Sequence, residues 1–261
     1  MQLTQYQIDA FAARPFEGNP AAIVPLPAWL PDALMQAMAL ENNLSETAFF
    51  VPKGDGFHLR WFTPATEVKL CGHATLASAY VLFHELGYAG NTVVFETLSG
   101  PLHVTRKGDW LEMDFPAQAP QACATPPAIR TAFNREPVAC LQREDYIVVF
   151  DDEDFVREVK PDMHALSQLE LRGVAITSQS RDFDFVMRFF APNHGINEGP
   201  VTGSAFTQLI PYWSQQLGRQ ALHAKQVSVR GGEVRGELHG ERVRIAGQAV
   251  KFLQGTIELT L

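Results

Sequence analysis

Cysteine is scarce: Cys71, Cys123 and Cys140 are the only three in 261 residues, and no two form a CxxC pair. That excludes a disulfide-stapled scaffold and argues against a zinc site, since both need clustered thiols. Long apolar runs are missing as well. Stretches such as "AYVLF" at 79–83 fall far short of the roughly 18 residues that a bilayer span needs, so no membrane partner is expected. Positive charge is thin: 21 Lys and Arg against 29 Asp and Glu give a net charge of −8. Such a surface repels phosphate backbones, so no nucleic-acid partner is expected. The first residues, "MQLTQYQIDAF", carry neither a basic nor an apolar leader pattern, and a cytoplasmic location is expected. Nucleotide-binding and hydrolase signatures are absent too: no GxGxxG after a strand, no GxxxxGK[ST], no HExxH and no GxSxG. Gly231-Gly232 reads as a hairpin turn.

What is present is ordinary globular composition, 46% hydrophobic and 19% charged, enough for one large domain or two smaller ones. "QLTQYQIDAFA", "ETAFFV", "FHLRWFT", "NTVVFET", "GPLHVTR" and "DWLEMDF" read as strands. "LPDALMQAMALENN" and "HATLASAYVLFHELG" read as helices, the second ending at Gly87. The Pro- and Ala-rich region 116–137 lacks periodicity and is the best linker candidate. Strand-like runs resume at 145–150, 173–177 and 183–190, then a helix from Gly203, then several short strands with Gly turns. The acidic run "DDEDF" at 151–155 reads as a solvated loop or a helix start. Strands outnumber helices, so the class is α+β rather than a βαβ array.

An internal repeat organises these elements. "RWFTP" (60–64) matches "RFFAP" (188–192) at an offset of 128 residues. "CGHATLASAYVLF" (71–83) matches "TGSAFTQLIPYW" (202–213) at an offset of 131, the extra three residues lying in "APNHGINEGPV". Coincidence between short apolar strings is the alternative, but the shared order of elements and the central linker favour duplication. Both helices are apolar nearly all round, which marks them as buried on every side. Pro211 removes the helical hydrogen bond to the carbonyl of Thr207, so a bend is expected there.

A helix start offers free N–H groups and partial positive charge. Gly72 and Gly203 carry no Cβ, so a ligand can approach the backbone closely. Two such starts facing one another would hold a carboxylate and stabilise negative charge that develops beside it. His73, next to Gly72, reads either as a cap or as a neutral imidazole held so by the helix dipole. Glu46, in "NNLSETAFF", reads either as a turn carboxylate or as a partly desolvated general base with a raised pKa. The residues alone favour the turn. Ser204 reads as a cap or as a donor to a substrate oxygen, and Thr202 and Glu198 are further candidate substrate contacts. Cys71 suggests a thiol racemase, but the second repeat has Val201-Thr202 where a partner thiol belongs. A buried inert Cys71 is the better reading.

"IDAFA…F.GNPAAIV", "NLSETAFF", "RWFTPATEVKLCGHATLASAY" and "RFFAP…EGPVTGSAFTQLIPYW" together resemble the PhzF-like, phenazine-biosynthesis-like family, which shares its fold with diaminopimelate epimerase. "QVSVRGGEV…VRIAGQAV" extends the match, leaving 116–170 least distinctive. The resemblance implies a duplicated diaminopimelate epimerase-like fold, two β-barrel-like domains each wrapped round a central helix, with the site in the cleft between them. It implies a cofactor-free isomerase, usually a homodimer. By motif Glu46 matches the family's general base, and His73 and Ser204 match residues lining the site. Two positions depart: the family aspartate of Glu-Asp-Pro-Val-Thr-Gly-Ser-Ala-His is Gly199 here, and Phe206 replaces the histidine.

The resulting expectation has an N-terminal half at 1–116 and a C-terminal half at 128–261, the final strand packing on the N-terminal half. Glu46, His73 and Ser204 are catalytic, and Gly72, Gly203, Thr202 and Glu198 bind substrate. The function is proton movement on a small carboxylate-bearing metabolite, with no cofactor and no metal. The alternative is a small-molecule-binding protein of the same fold that has lost catalysis.

Overall fold

The computed structural model describes residues 1–259. Two compact units emerge. One comprises residues 1–114 together with the chain from Ala246 onward; the other is Phe115–Ile245.

In the first unit the strands follow the order Ala249–Glu258, Gln2–Ala10, Asn19–Pro25, Glu46–Lys53, Gly56–Phe62, Thr92–Glu96, Leu102–Lys107 and Trp110–Pro116. All neighbours are antiparallel except two. Asn19–Pro25 runs parallel to Glu46–Lys53, and Gly56–Phe62 runs parallel to Thr92–Glu96. A parallel pair needs a long crossover, and here each crossover carries a helix. Asp32–Asn42 bridges the first pair and Gly72–Tyr80 the second.

The second unit repeats this pattern. Gln121–Ala122, Ala139–Gln142, Tyr146–Val149, Val174–Gln179, Phe185–Phe190, Ala221–Gln226 and Gly232–His239 follow in order. The parallel pairs are Tyr146–Val149 with Val174–Gln179 and Phe185–Phe190 with Ala221–Gln226. Short helices Glu153–Glu158 and Met163–Leu166 bridge the first, and Gly203–Leu217 bridges the second. The class is α+β and the topology is duplicated, in agreement with the sequence repeat.

Residues 73–79 of Gly72–Tyr80 and residues 205–211 of Gly203–Leu217 are buried because sheet surrounds them, while Gln215 and Gln216 in the last turn of the second helix are exposed. Every residue from His73 to Ala79 is buried, and alanines at 74, 77 and 79 let neighbouring strands approach closely. That helix packs on Asn19–Pro25, Gln2–Ala10 and Glu46–Lys53, then passes into a π-helical turn, Val81–Glu85. Gly203–Leu217 runs on through Pro211, and the Thr207 carbonyl that Pro211 leaves unbonded accepts from the Gln118 backbone at 2.9 Å. Among the described residues no helix is long and apolar enough to cross a membrane.

Region 116–137 is not a plain linker. A helix at Pro127–Phe133 starts on proline, ends at left-handed Asn134, and buries Ile129, Ala132 and Phe133 in the second unit's core. Three apolar residues on a seven-residue helix are too few for sequence periodicity to show. The acidic run is half-structural: Asp152 caps a helix by accepting from Phe155 N, and Glu153 is buried among Arg157, Ser180 and Arg181.

The loop before each crossover helix is clamped by an arginine. Arg60 forks onto Glu67 at 2.7 Å through both Nε and Nη2. Arg188 forks onto Glu198 at 2.7 and 3.0 Å. The strand register makes them equivalents, Arg60 facing Phe49 and Arg188 facing Ile176. Glu67 and Glu198 stand at the same 131-residue offset as the helices behind them.

The second unit also contains a buried carboxylate. Asp145 is fully buried, accepts from Arg172 Nε and Nη2 at 2.9 and 2.6 Å, and accepts from Gln208 Nε2 at 2.6 Å. Gln208 Oε1 in turn accepts from the Glu144 and Asp145 amides. Removing one partner of a buried pair leaves an uncompensated charge. Arg172→Met is expected to cost about 3 kcal/mol in urea unfolding. A loss below about 1 kcal/mol, the scale of a surface pair, would show that the network adds little.

Candidate active site

Glu46 is the first residue of Glu46–Lys53, facing Ala21 of the parallel neighbour. His73 is the second residue of the buried helix Gly72–Tyr80. Beside them stands Cys71, whose backbone is extended (φ −146°, ψ 107°) and whose thiol caps nothing. The first unit therefore brings three chemically active side chains to one helix start.

His73 Nε2 lies 3.1 Å from Glu46 Oε2. Its Nδ1 faces Cys71 Sγ and Asn19 Nδ2, each at 3.4 Å. Asn19 is buried, and its Oδ1 accepts from Ser45 Oγ at 3.2 Å. Glu46 Oε2 and His73 Nε2 are shielded from solvent, and among the described residues neither finds an aligned hydrogen-bond partner. Their mutual approach is close but misdirected. Buried polar atoms left in that condition are costly, and they cluster where function requires them.

Two charge expectations are corrected here. Burial acts to raise the Glu46 pKa, but the adjacent His73 outweighs it and holds the carboxyl below its ordinary value. Burial acts to lower the His73 pKa, but neighbouring Cys71 and Glu46 more than offset it, raising His73 to about 10. The helix dipole is the weaker influence on this ring, because the carboxylate is in direct reach. Burial and the Glu46 charge raise the Cys71 pKa above the ordinary thiol value. The site is a Glu46–His73 ion pair with the Cys71 sulfur beside it. Glu46, Cys71 and His73 offer one donor atom each within 4.8 Å of one another, a spacing small enough for a metal ion. Sulfur and carboxylate approach different ring nitrogens, Nδ1 and Nε2 respectively.

The other candidates belong to the second unit. Thr202 precedes the helix Gly203–Leu217 and makes no side-chain cap. Gln226 fixes this loop, accepting from Thr202 N at 2.7 Å and donating to Gly199 O at 2.6 Å. Ser204 is half-buried, and its carbonyl accepts from Thr207 Oγ1 at 2.7 Å. The Glu198 carboxylate is taken up by Arg188. Gly199 is packed against the Thr202 hydroxyl: a Cβ there would lie 2.6 Å from Thr202 Oγ1, so an aspartate needs that hydroxyl to rotate away.

The duplicated register extends to the base itself. Thr47 faces Phe62 and Val174 faces Phe190, so Gly173 occupies in the second unit the place of Glu46 in the first. A side chain at 173 is sterically barred, since a Cβ would sit 2.5 Å from the Phe189 ring and 2.8 Å from the Phe190 carbonyl. Asn19, Ser45 and Gln226 are site residues that sequence reading misses. "GNP" reads as a turn only, and nothing local marks Gln226.

Comparison with known proteins agrees with this picture. The family described as phenazine biosynthesis-like protein matches residues 8–255. An uncharacterized isomerase of Pseudomonas aeruginosa is 52% identical, covering 99% of this chain and all of that protein. A second uncharacterized isomerase of that organism is 49% identical over the full length of both. A crystal structure of a phenazine biosynthesis protein of the PhzF family from Enterococcus faecalis superposes with a TM-score of 0.97 at 45% identity, over 99% of this chain and all of that one. With the duplicated sheet topology, the two clamped helix starts and matches along nearly its whole length, this chain belongs to the phenazine biosynthesis-like protein family.

Proposed function

We propose that this protein is a cofactor-independent isomerase that moves a proton on a small, carboxylate-bearing metabolite. The observation that carries the reading is the buried Glu46–His73 pair, two polar atoms 3.1 Å apart and unaligned with each other. Relatives named as isomerases support the reaction class.

In this reading Glu46 is the general base. A pKa below the ordinary carboxylate value keeps it ionised at neutral pH, but also makes it a weak base. Its substrate must therefore have an activated C–H, next to a carbonyl or conjugated to one. The helix start at Gly72, beside the base, offers free N–H groups to the substrate carboxylate and to the charge that develops, and Gly203 begins the equivalent set of donors in the second unit. His73 assists as the charged neighbour of the base. Ser204 and Thr202 donate to substrate oxygens. Glu198, engaged by Arg188, supports the loop that carries Thr202 and Ser204. Gly173, standing where a second base would, argues for one group that removes the proton and returns it, rather than a pair working on opposite faces. Cytoplasmic location and homodimeric assembly complete the proposal.

Incubation with candidate carbon acids in deuterated water tests it. Wild-type protein is expected to exchange hydrogen at carbon, and Glu46→Gln to lower that exchange by roughly 10³-fold. Tight binding without exchange would favour a binding protein instead, and full activity in Glu46→Gln would remove Glu46 from its role.

The protonation of His73 is open to a second measurement. Its pKa is raised above the ordinary 6.5 to about 10, so its stabilising contribution is complete below 6.5 and is lost as pH climbs through 10. Glu46 is shifted the other way: its contribution is complete above 4.5 and is lost as pH falls below it. NMR of the His73 ring is expected to show imidazolium at pH 8 in wild type, and a lower pKa in Glu46→Gln. A neutral ring at pH 7 would refute the ion pair. For assembly, sedimentation equilibrium is expected to give twice the chain mass, and a single-chain mass would remove the dimer.

A further inference from the structure

Cys123 and Cys140, widely spaced in sequence, face each other across an antiparallel pair in the second unit. Ala122 is paired with Leu141 and Gln121 with Gln142, which sets Cys123 directly opposite Cys140. The Cys123 amide donates to the Cys140 carbonyl at 3.0 Å, and the two sulfurs are 3.6 Å apart. Cys140 is buried in the core beside Ile129, Phe133 and Tyr146, whereas Cys123 is half-buried at its margin. Cys123 is thus the more accessible residue of the two.

We infer that Cys123 and Cys140 are a reversible thiol–disulfide pair, a modification site that a low-molecular-weight disulfide oxidises while the chain remains folded. Directly opposed antiparallel residues have Cα atoms about 4.5–5.5 Å apart, inside the disulfide range of roughly 4.4–6.8 Å. From 3.6 Å the sulfurs need approach by only about 0.8 Å each to reach bonding distance, a side-chain rotation without backbone movement.

The chemistry assigns different roles to the two thiols. Burial, with Cys123 alongside, pushes the Cys140 thiol up to about 12, so the more accessible Cys123 makes the first attack. Its thiolate displaces one half of the external disulfide, giving a mixed disulfide and one small thiol. Cys140 then gives up its proton and attacks the Cys123 sulfur, expelling the second half. Two protein thiols are oxidised, one external disulfide is reduced to two thiols, and those thiols carry away the two protons. The bond closes a loop over residues 124–139, which holds the helix Pro127–Phe133. Cys71, buried in the other unit against His73, takes no part.

The test uses the folded wild-type protein and oxidised glutathione at mildly alkaline pH, followed by alkylation and peptide mapping. The expected product has lost two titratable thiols and two hydrogen atoms of mass, and carries a 123–140 crosslink with Cys71 alkylated only after unfolding. Its urea midpoint should rise and should return to the starting value with dithiothreitol. Cys140→Ser should stop at the mixed disulfide on Cys123. A stable glutathione adduct on the wild-type protein with Cys140 still free, a crosslink to Cys71, or thiols that react only in denaturant would each overturn the assignment.

Discussion

A helix that is apolar on every side cannot wander to its place; the loop delivering its first turn has to be held. Here that constraint is met twice by the same device, an arginine on the preceding strand forked onto a glutamate in the loop. Bidentate arginine–carboxylate pairs fix geometry as well as charge. Each clamp sets the register of the helix start behind it. Cys71 and His73 come four and six residues after Glu67, and Thr202 and Ser204 come four and six residues after Glu198. Every candidate at a helix start thus stands behind an arginine–glutamate ion pair.

On this symmetric frame the two copies have diverged. The first carries a carboxylate, an imidazole and a thiol; the second carries a glycine, a serine and a threonine at the equivalent places. Titratable groups are confined to one copy and hydrogen-bonding groups remain in the other. The packing shows why the difference persists. Gly173 is pressed against the Phe189 ring and the Phe190 carbonyl, so the second copy has no room to regain a base. Gly199 is pressed against Thr202, whose position Gln226 secures.

Much of this can be read from the residues. The repeat, the two buried helices and their glycine starts are visible because apolar periodicity and short-range order are local properties. The pairing of Arg188 with Glu198 is legible in principle, since Arg60 and Glu67 repeat it, yet from sequence Glu198 reads as a substrate contact. Other features depend on register between distant segments. Asn19 reaches His73 across 54 residues, and Cys123 meets Cys140 only because two short strands pair. The sign of the Glu46 and His73 shifts escapes the sequence for the same reason. Burial and a helix end can be guessed from sequence, but a 3.1 Å approach between residues 46 and 73 cannot.

The strand Ala249–Glu258 lies beside Gln2–Ala10, pairing along nearly its whole length. The first unit is consequently stitched together from segments on either side of residues 115–245, with the second unit spliced between them. On a ribosome, residues 115–245 can complete their sheet while the unit that carries Glu46 and His73 still lacks its closing edge. The half with the reactive ion pair is the last to have all of its strands available.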